Sequence, residues 1–252
     1  MAGMPGLESM AWHSLPQVNM KQDFLDLKRR MLRPHPHMGQ DFDSGIVDQD
    51  DFREISQRTL HHYDEVAPRF FAGTLDHDVS QNIAALLDAI EAEAPYTILD
   101  LGCGPGRDLK TFRELGHRAI GLDGSPRFVE MAASYSGCEV WLQNFLDLDL
   151  PDGLFDGIYA NASLFHVPRS LLPKVLGELH DALKPGGVLF SSNPRGNNEE
   201  GWNGPRWGSF HDYPAWEAYV VGAGFTPIHH YYRPAGLPRE QQPWLASVWR
   251  KN

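Results

Sequence analysis

The stretch Leu99-Asp100-Leu101-Gly102-Cys103-Gly104-Pro105-Gly106-Arg107-Asp108 decides the fold. The apolar run Tyr96-Thr97-Ile98-Leu99-Asp100-Leu101 reads as a strand that ends in glycines, and Arg107 to Leu115 reads as the helix that follows. Glycine lets the backbone turn without a Cβ clash and come close to a ligand. The first turn of the helix offers its free N–H groups to the same place. Units of this kind bind nucleotides at the carboxyl end of the first strand. The spacing is G-x-G-x-G, with Arg107 next, and not the G-x-G-x-x-G of a dinucleotide fingerprint. Asp123 closes the next strand in Ile120-Gly121-Leu122-Asp123-Gly124-Ser125, where a carboxylate suits a grip on ribose hydroxyls.

Outward from this unit, strands and helices alternate. Upstream, Phe52 to Phe71 and Ser80 to Glu93 read as helices, the second with a stripe at Ile83, Leu86, Leu87 and Ile90. Downstream, strands are expected at Arg118–Leu122, Glu139–Leu142, Phe155–Ala160 and Val188–Ser192, with helices at Arg127–Ser134 and Leu171–Leu183. A loop rich in Asn, Gly and Trp then leads to a helix at Tyr213–Ala223 and strands at Phe225–Tyr232 and Trp244–Arg250. The alternation predicts an α/β domain with a mainly parallel, doubly wound sheet. The last two strands have no helix between them, which predicts an antiparallel pairing at one edge. Residues 1–55 read as an N-terminal extension, partly disordered or a lid, with an amphipathic helix possible at Lys21 to Leu32. The domain proper is expected over residues 56–252.

Composition narrows the function class. With 22 Lys+Arg against 33 Asp+Glu the formal charge is −11, which weighs against a protein built to grip phosphate backbones. No stretch reaches the roughly 18 apolar residues of a membrane span, and Met1 to Gln22 does not read as a secretory signal. Two cysteines, Cys103 and Cys138, are too few for a disulfide framework or a structural zinc site. The 12 histidines show no H-E-x-x-H-like spacing, so no metal is expected. The expectation is a cytoplasmic protein, with monomer and homodimer both open.

From residue 60 to the C-terminus the chain resembles the class I S-adenosylmethionine (SAM)-dependent methyltransferases. Their first motif is matched by Ile98 to Gly106 and the second by Asp123. Asn144-Phe145 stands where the third usually has an acid. Phe155 to Val167 matches the fourth, and Leu183-Lys184-Pro185-Gly186-Gly187-Val188-Leu189 the fifth. The resemblance implies a Rossmann-like sheet of seven strands with the last one antiparallel, SAM as cofactor, and S-adenosylhomocysteine as product. It implies that Asp100, Gly102, Cys103, Gly104, Gly106 and Arg107 meet the methionine part of SAM. By the same resemblance Asp123 meets the ribose and Asn144 and Phe145 the adenine, with Gly124, Ser125 and Asn161 also among the cofactor-binding residues. An amide at Asn144 can still accept from the adenine amine, without charge assistance.

Methyl transfer needs alignment and water exclusion, and a base only when the acceptor carries a proton at the moment of attack. The candidate base is His166, beyond the fourth strand; its alternative is to pack on the cofactor or cap the next helix. Tyr63 resembles the tyrosine on the helix that covers the cofactor in many relatives, or else is a half-buried helix residue. Arg195, Trp202, Arg206 and Trp207 are the candidate acceptor pocket, the tryptophans as walls and the arginines as partners for a carboxylate or phosphate. The competing reading has anchoring tryptophans and solvated arginines. The expected acceptor is a small molecule. A modified tRNA base, or SAM binding without catalysis, are the rival functions, and the only basic cluster is Lys28-Arg29-Arg30.

Overall fold

The computed structural model describes residues 49–252. The possible helix at Lys21 to Leu32 and the basic cluster within it lie outside the described residues. Helix α1 runs Gln49–Thr74 and α2 Ser80–Leu87, ahead of strand β1, Thr97–Leu101. Then follow α3 (Arg107–Glu114), β2 (Arg118–Asp123), α4 (Pro126–Ser136), β3 (Glu139–Leu142) and β4 (Phe155–Asn161). After α5 (Leu172–Ala182) come β5 (Leu183–Pro194), β6 (Glu199–Asn203) and β7 (Arg206–Phe210). Helix α6 (Tyr213–Gly222) leads to β8 (Phe225–Arg233) and β9 (Trp244–Lys251).

Seven strands form one sheet in the order β3-β2-β1-β4-β5-β9-β8. β1 pairs in parallel with β2 and β4, and β4 with β5, whereas β9 is antiparallel to both β5 and β8. The sheet is therefore the expected one, with the antiparallel strand inserted next to the edge. Parallel strands carry crossover helices on both faces and so read as apolar runs. In β1, Leu99 and Leu101 join Leu122, Ile158 and Leu189 under α5 and α6, while Ile98 joins Tyr159, Phe190 and Val248 under α2 and α3. Alternate residues thus build separate cores on opposite faces.

The sequence expectation departs from the structure in places. The helix expected to Glu93 stops at Leu87, and the strand expected from Val188 begins at Leu183. More consequential is the segment after β5, expected as a loop. Glu199–Asn203 and Arg206–Phe210 form an antiparallel hairpin, with Trp202 opposite Trp207 and Asn203 opposite Arg206. The turn is Gly204-Pro205, and Gly204 takes φ +62°, which suits the first central position of a tight hairpin turn.

Candidate active site

The site begins where β1 gives way to α3. The N–H groups of Gly102 and Cys103 donate to the carbonyl of Leu122 (2.7 and 3.0 Å), which ties the loop to β2. Gly102 sits at φ +74°, and a Cβ there would stand 2.5 Å from the Ser163 Cβ and 3.0 Å from Phe145 Cζ. A side chain at Gly102 is therefore excluded by conformation and by space. Asp123 closes the other wall. Its Oδ2 accepts from Gly104 N–H and its Oδ1 from Ser125 N–H, both at 2.9 Å, and the Gly124 N–H also acts on the carboxylate. Burial raises the Asp123 carboxyl to about 6, against the opposing pull of these N–H bonds.

Asp100 lies deeper, 3% exposed, and its Oδ2 has no hydrogen-bond partner among the described residues. Burial, and then the neighbouring Asp108, pushes its carboxyl well above the usual carboxylate range. The Ser163 hydroxyl is likewise buried and unpartnered. Burial also pushes the Cys103 thiol up, and the protonated thiol donates to the Gly104 carbonyl at 3.6 Å within the loop.

Arg107 is held in place from several sides. It donates through Nε and Nη2 to the two oxygens of Asp108 (2.6 and 3.0 Å) and through Nη1 to the Thr74 carbonyl (2.6 Å). Behind this pair runs a chain that sequence reasoning missed. Tyr231 Oη donates to Asn82 Oδ1, Asn82 Nδ2 to Asn161 Oδ1, and Asn161 Nδ2 to Asp108 Oδ2, at 2.9, 2.9 and 3.2 Å. Of its members only Arg107 and Asn161 were candidates. Asn82 and Tyr231 stand far from them in sequence and carry no local motif.

Helix α1 covers the cradle. Asp64 accepts from the Ser125 hydroxyl and from Arg127 N–H (3.2 Å), and Leu60 packs on Gly124, where an added Cβ would meet its Cδ2 at 2.7 Å. Ser125 also caps α4 by accepting from Phe128 N–H. Asn144 is occupied here: Nδ2 donates to Ser56 Oγ (2.7 Å) and Oδ1 accepts from Leu146 N–H (3.0 Å). Its role in the structure is thus to fasten α1 and to shape its own turn, with Phe145 beside Gly102.

Tyr63 and His166 meet across the top. His166 Nδ1 lies 2.6 Å from the Trp207 carbonyl oxygen, which can only accept, so Nδ1 carries the proton. Nε2 is then the acceptor for the Tyr63 hydroxyl at 2.8 Å, and Arg206 Nη1 donates to the same hydroxyl oxygen at 3.1 Å. Burial drives His166 down to about 4, fixing it as neutral imidazole, and burial raises Tyr63 against the opposing effect of Arg206.

Of the four pocket candidates, Arg206 and Trp207 join this cluster. Trp202 packs edge-to-face on Trp207 (centroids 5.5 Å) and carries the Arg58 guanidinium on its ring at 4.0 Å. Arg195 goes elsewhere, to the carbonyls of Gln242 (3.3 Å) and Arg239 (2.9 Å), because β5 carries it toward the turn before β9. Among the described residues no group of His, Cys, Asp or Glu is arranged to hold a metal, and no helix is long and apolar enough to cross a membrane.

Residues 98–187 match the family model described as a methyltransferase domain. The malonyl-[acyl-carrier protein] O-methyltransferase of Buchnera aphidicola is 32% identical over 140 residues, which cover 53% of this chain and 56% of that protein. The trans-aconitate 2-methyltransferase of Methylobacterium radiotolerans is 36% identical over 123 residues, covering 44% and 43%. The chain spans 26% to 56% of the length of the curated relatives it matches. The crystal structure of the Burkholderia thailandensis 1,6-didemethyltoxoflavin-N1-methyltransferase superposes with TM-score 0.67 at 21% identity, covering 87% of this chain and all of that one. The glycine loop, the acid closing β2 and the 3-2-1-4-5 parallel order with its antiparallel insertion agree with those findings: residues 98–187 are similar to a methyltransferase domain, and the described sheet shares the fold of that crystal structure.

Proposed function

We propose that this protein transfers a methyl group from SAM to a small-molecule acceptor. The observation that carries the reading is the cradle itself, a glycine loop between two buried carboxylates that still have hydrogen-bonding capacity to offer. Asp100 Oδ2 lacks a donor in a buried position, which an ammonium group satisfies; such an atom left unmatched costs about 1–3 kcal/mol. Asp123 presents two oxygens, already aimed by backbone N–H groups, to vicinal hydroxyls. These donor and acceptor sets fit the amino acid and ribose ends of SAM. Bound there, SAM supplies an electrophilic methyl that is displaced in line from its sulfonium.

The chain's own residues orient and enclose. Tyr63, with Phe70 and Phe128 packed on its ring, forms an aromatic wall over the glycine loop, where Phe70 is the nearest side chain to Gly104. His166 fixes the Tyr63 hydroxyl through Nε2 and the β6–β7 hairpin through Nδ1, so it links the α1 cover to the β4 end. Its low proton affinity suits positioning better than proton removal. A small acceptor is favoured by this enclosure, by the overall charge of −11, and by a relative named for trans-aconitate. Incubation of the full chain with methyl-labelled SAM and a metabolite extract tests the proposal. Label should enter a low-molecular-weight compound; label on RNA, or no transfer despite SAM binding, would overturn it.

A further inference from the structure

Among the described residues, the half-buried cation of the cover, Arg206, has no carboxylate partner. Arg107 faces Asp108, Arg169 faces Glu200 at 3.0 Å, and Arg250 faces Glu91 at 2.8 Å. Arg195 has two carbonyls. Half-buried Arg206 has no carboxylate within 4 Å among the described residues, and its hydrogen bond goes to a neutral phenol, Tyr63. Its guanidinium sits 5.6 Å from the Tyr63 ring centroid, in a cluster where Tyr63, His166 and Phe165 are all uncharged. A half-buried guanidinium resting against an aromatic ring keeps N–H donors free for an anion, and its planar fork matches a carboxylate.

The position is as telling as the charge. Arg206, at the start of β7, is one hydrogen bond from Tyr63 and two from His166, which lies beyond the end of β4. The lone pair of His166 Nε2 is already occupied by the Tyr63 hydroxyl, and its Nδ1 proton by the Trp207 carbonyl. Among the described residues this cluster therefore offers a cation, while the imidazole that could take a proton is already engaged on both nitrogens. An acceptor that arrives already deprotonated needs the first and not the second.

Building on the methyltransferase reading, we infer that the acceptor is a small organic carboxylate, gripped by Arg206 and methylated on oxygen. A carboxylate oxygen lone pair forms the O–CH3 bond as the S–CH3 bond breaks and its electron pair passes to sulfur. The products are a methyl ester and S-adenosylhomocysteine, and no proton moves. Arg206 holds the second carboxylate oxygen and so aims the first.

Two measurements test this. First, the small-molecule product made from methyl-labelled SAM is treated with alkali: an ester releases its label as volatile methanol, whereas N-, C- or ether-bound methyl stays behind. Alkali-stable label overturns the inference while leaving methyl transfer intact; no transfer at all overturns the methyltransferase reading beneath it. Second, tryptophan fluorescence, without SAM, follows titration with acetate, malonate, benzoate and trans-aconitate and with the corresponding amides. At least one carboxylate should bind the wild type tenfold or more tighter than its amide. Arg206→Gln should abolish that preference, with Arg206→Lys intermediate and circular dichroism unchanged. Carboxylates that bind no better than their amides, or that bind Arg206→Gln equally well, overturn the role of Arg206.

Discussion

The cradle around Gly102 and the cover built by the β6–β7 hairpin are neighbours made in opposite ways. The cradle is backbone: glycines in left-handed conformations and N–H groups that aim the Asp123 carboxylate. The cover is side chains reaching from distant parts of the chain. Arg58, Thr59 and Tyr63 of α1 meet Gly204, Trp207 and Arg206 of the hairpin, with His166 between them. A backbone site is rigid and chemically generic, and a side-chain cover is where one acceptor is told from another. Damage to the cradle should therefore strike cofactor affinity, and damage to the cover should strike turnover.

The largest effect should come from Gly102→Val. The residue cannot hold φ +74° without strain, and its Cβ would overlap Ser163. SAM affinity measured by calorimetry should fall by about 100-fold or more, equivalent to roughly 3 kcal/mol. A variant that binds SAM as the wild type does would break the distinction from the cradle side. Next comes His166→Phe, which removes the bonds to Tyr63 and to the Trp207 carbonyl. Here kcat should drop by roughly 10- to 100-fold while SAM affinity changes by less than about threefold. Equal loss of both would merge the two regions.

His166 also gives the cover a pH signature. Its folded value of about 4 lies below the ordinary 6.5, so the unfolded chain binds the extra proton between them. Wild-type stability should thus fall as the pH drops from about 6.5 toward 4, by at most about 3 kcal/mol from this residue. His166→Phe should lack that component in denaturant titrations at matched pH; an unchanged slope would remove the assignment. The smallest effect is expected of Arg58→Ala, which loses one cation–π contact on half-exposed Trp202 and should cost about 0.5–1 kcal/mol with SAM affinity unaltered.

The same contrast explains what could be read from residues alone. The glycine spacing and Asp123 were legible because the cradle's contacts are short-range and dictated by backbone sterics. The sheet was legible because β1, β4 and β5 are buried on both faces and read as apolar runs. Trp202 and Trp207 were expected in a loop, although the two-residue Gly204-Pro205 link between Asn203 and Arg206 was a usable hairpin signal. Arg195 and Arg206 were equivalent as sequence, and only tertiary pairing sends one to the carbonyls of Arg239 and Gln242 and the other to Tyr63. The Asn82–Asn161–Asp108 chain leaves no trace in any short window, since its members meet from three separate elements.

The central claim is that the cradle binds SAM through an ionised Asp123. The direct measurement is calorimetric titration of SAM into the full chain between pH 5 and 8, alongside Asp123→Ala. With Asp123 at about 6, wild-type affinity should be level above pH 7 and weaken below 6, approaching tenfold per unit. Asp123→Ala should bind at least about 30-fold more weakly with that pH dependence removed. Wild type and Asp123→Ala binding alike, with the same pH profile, would contradict the account.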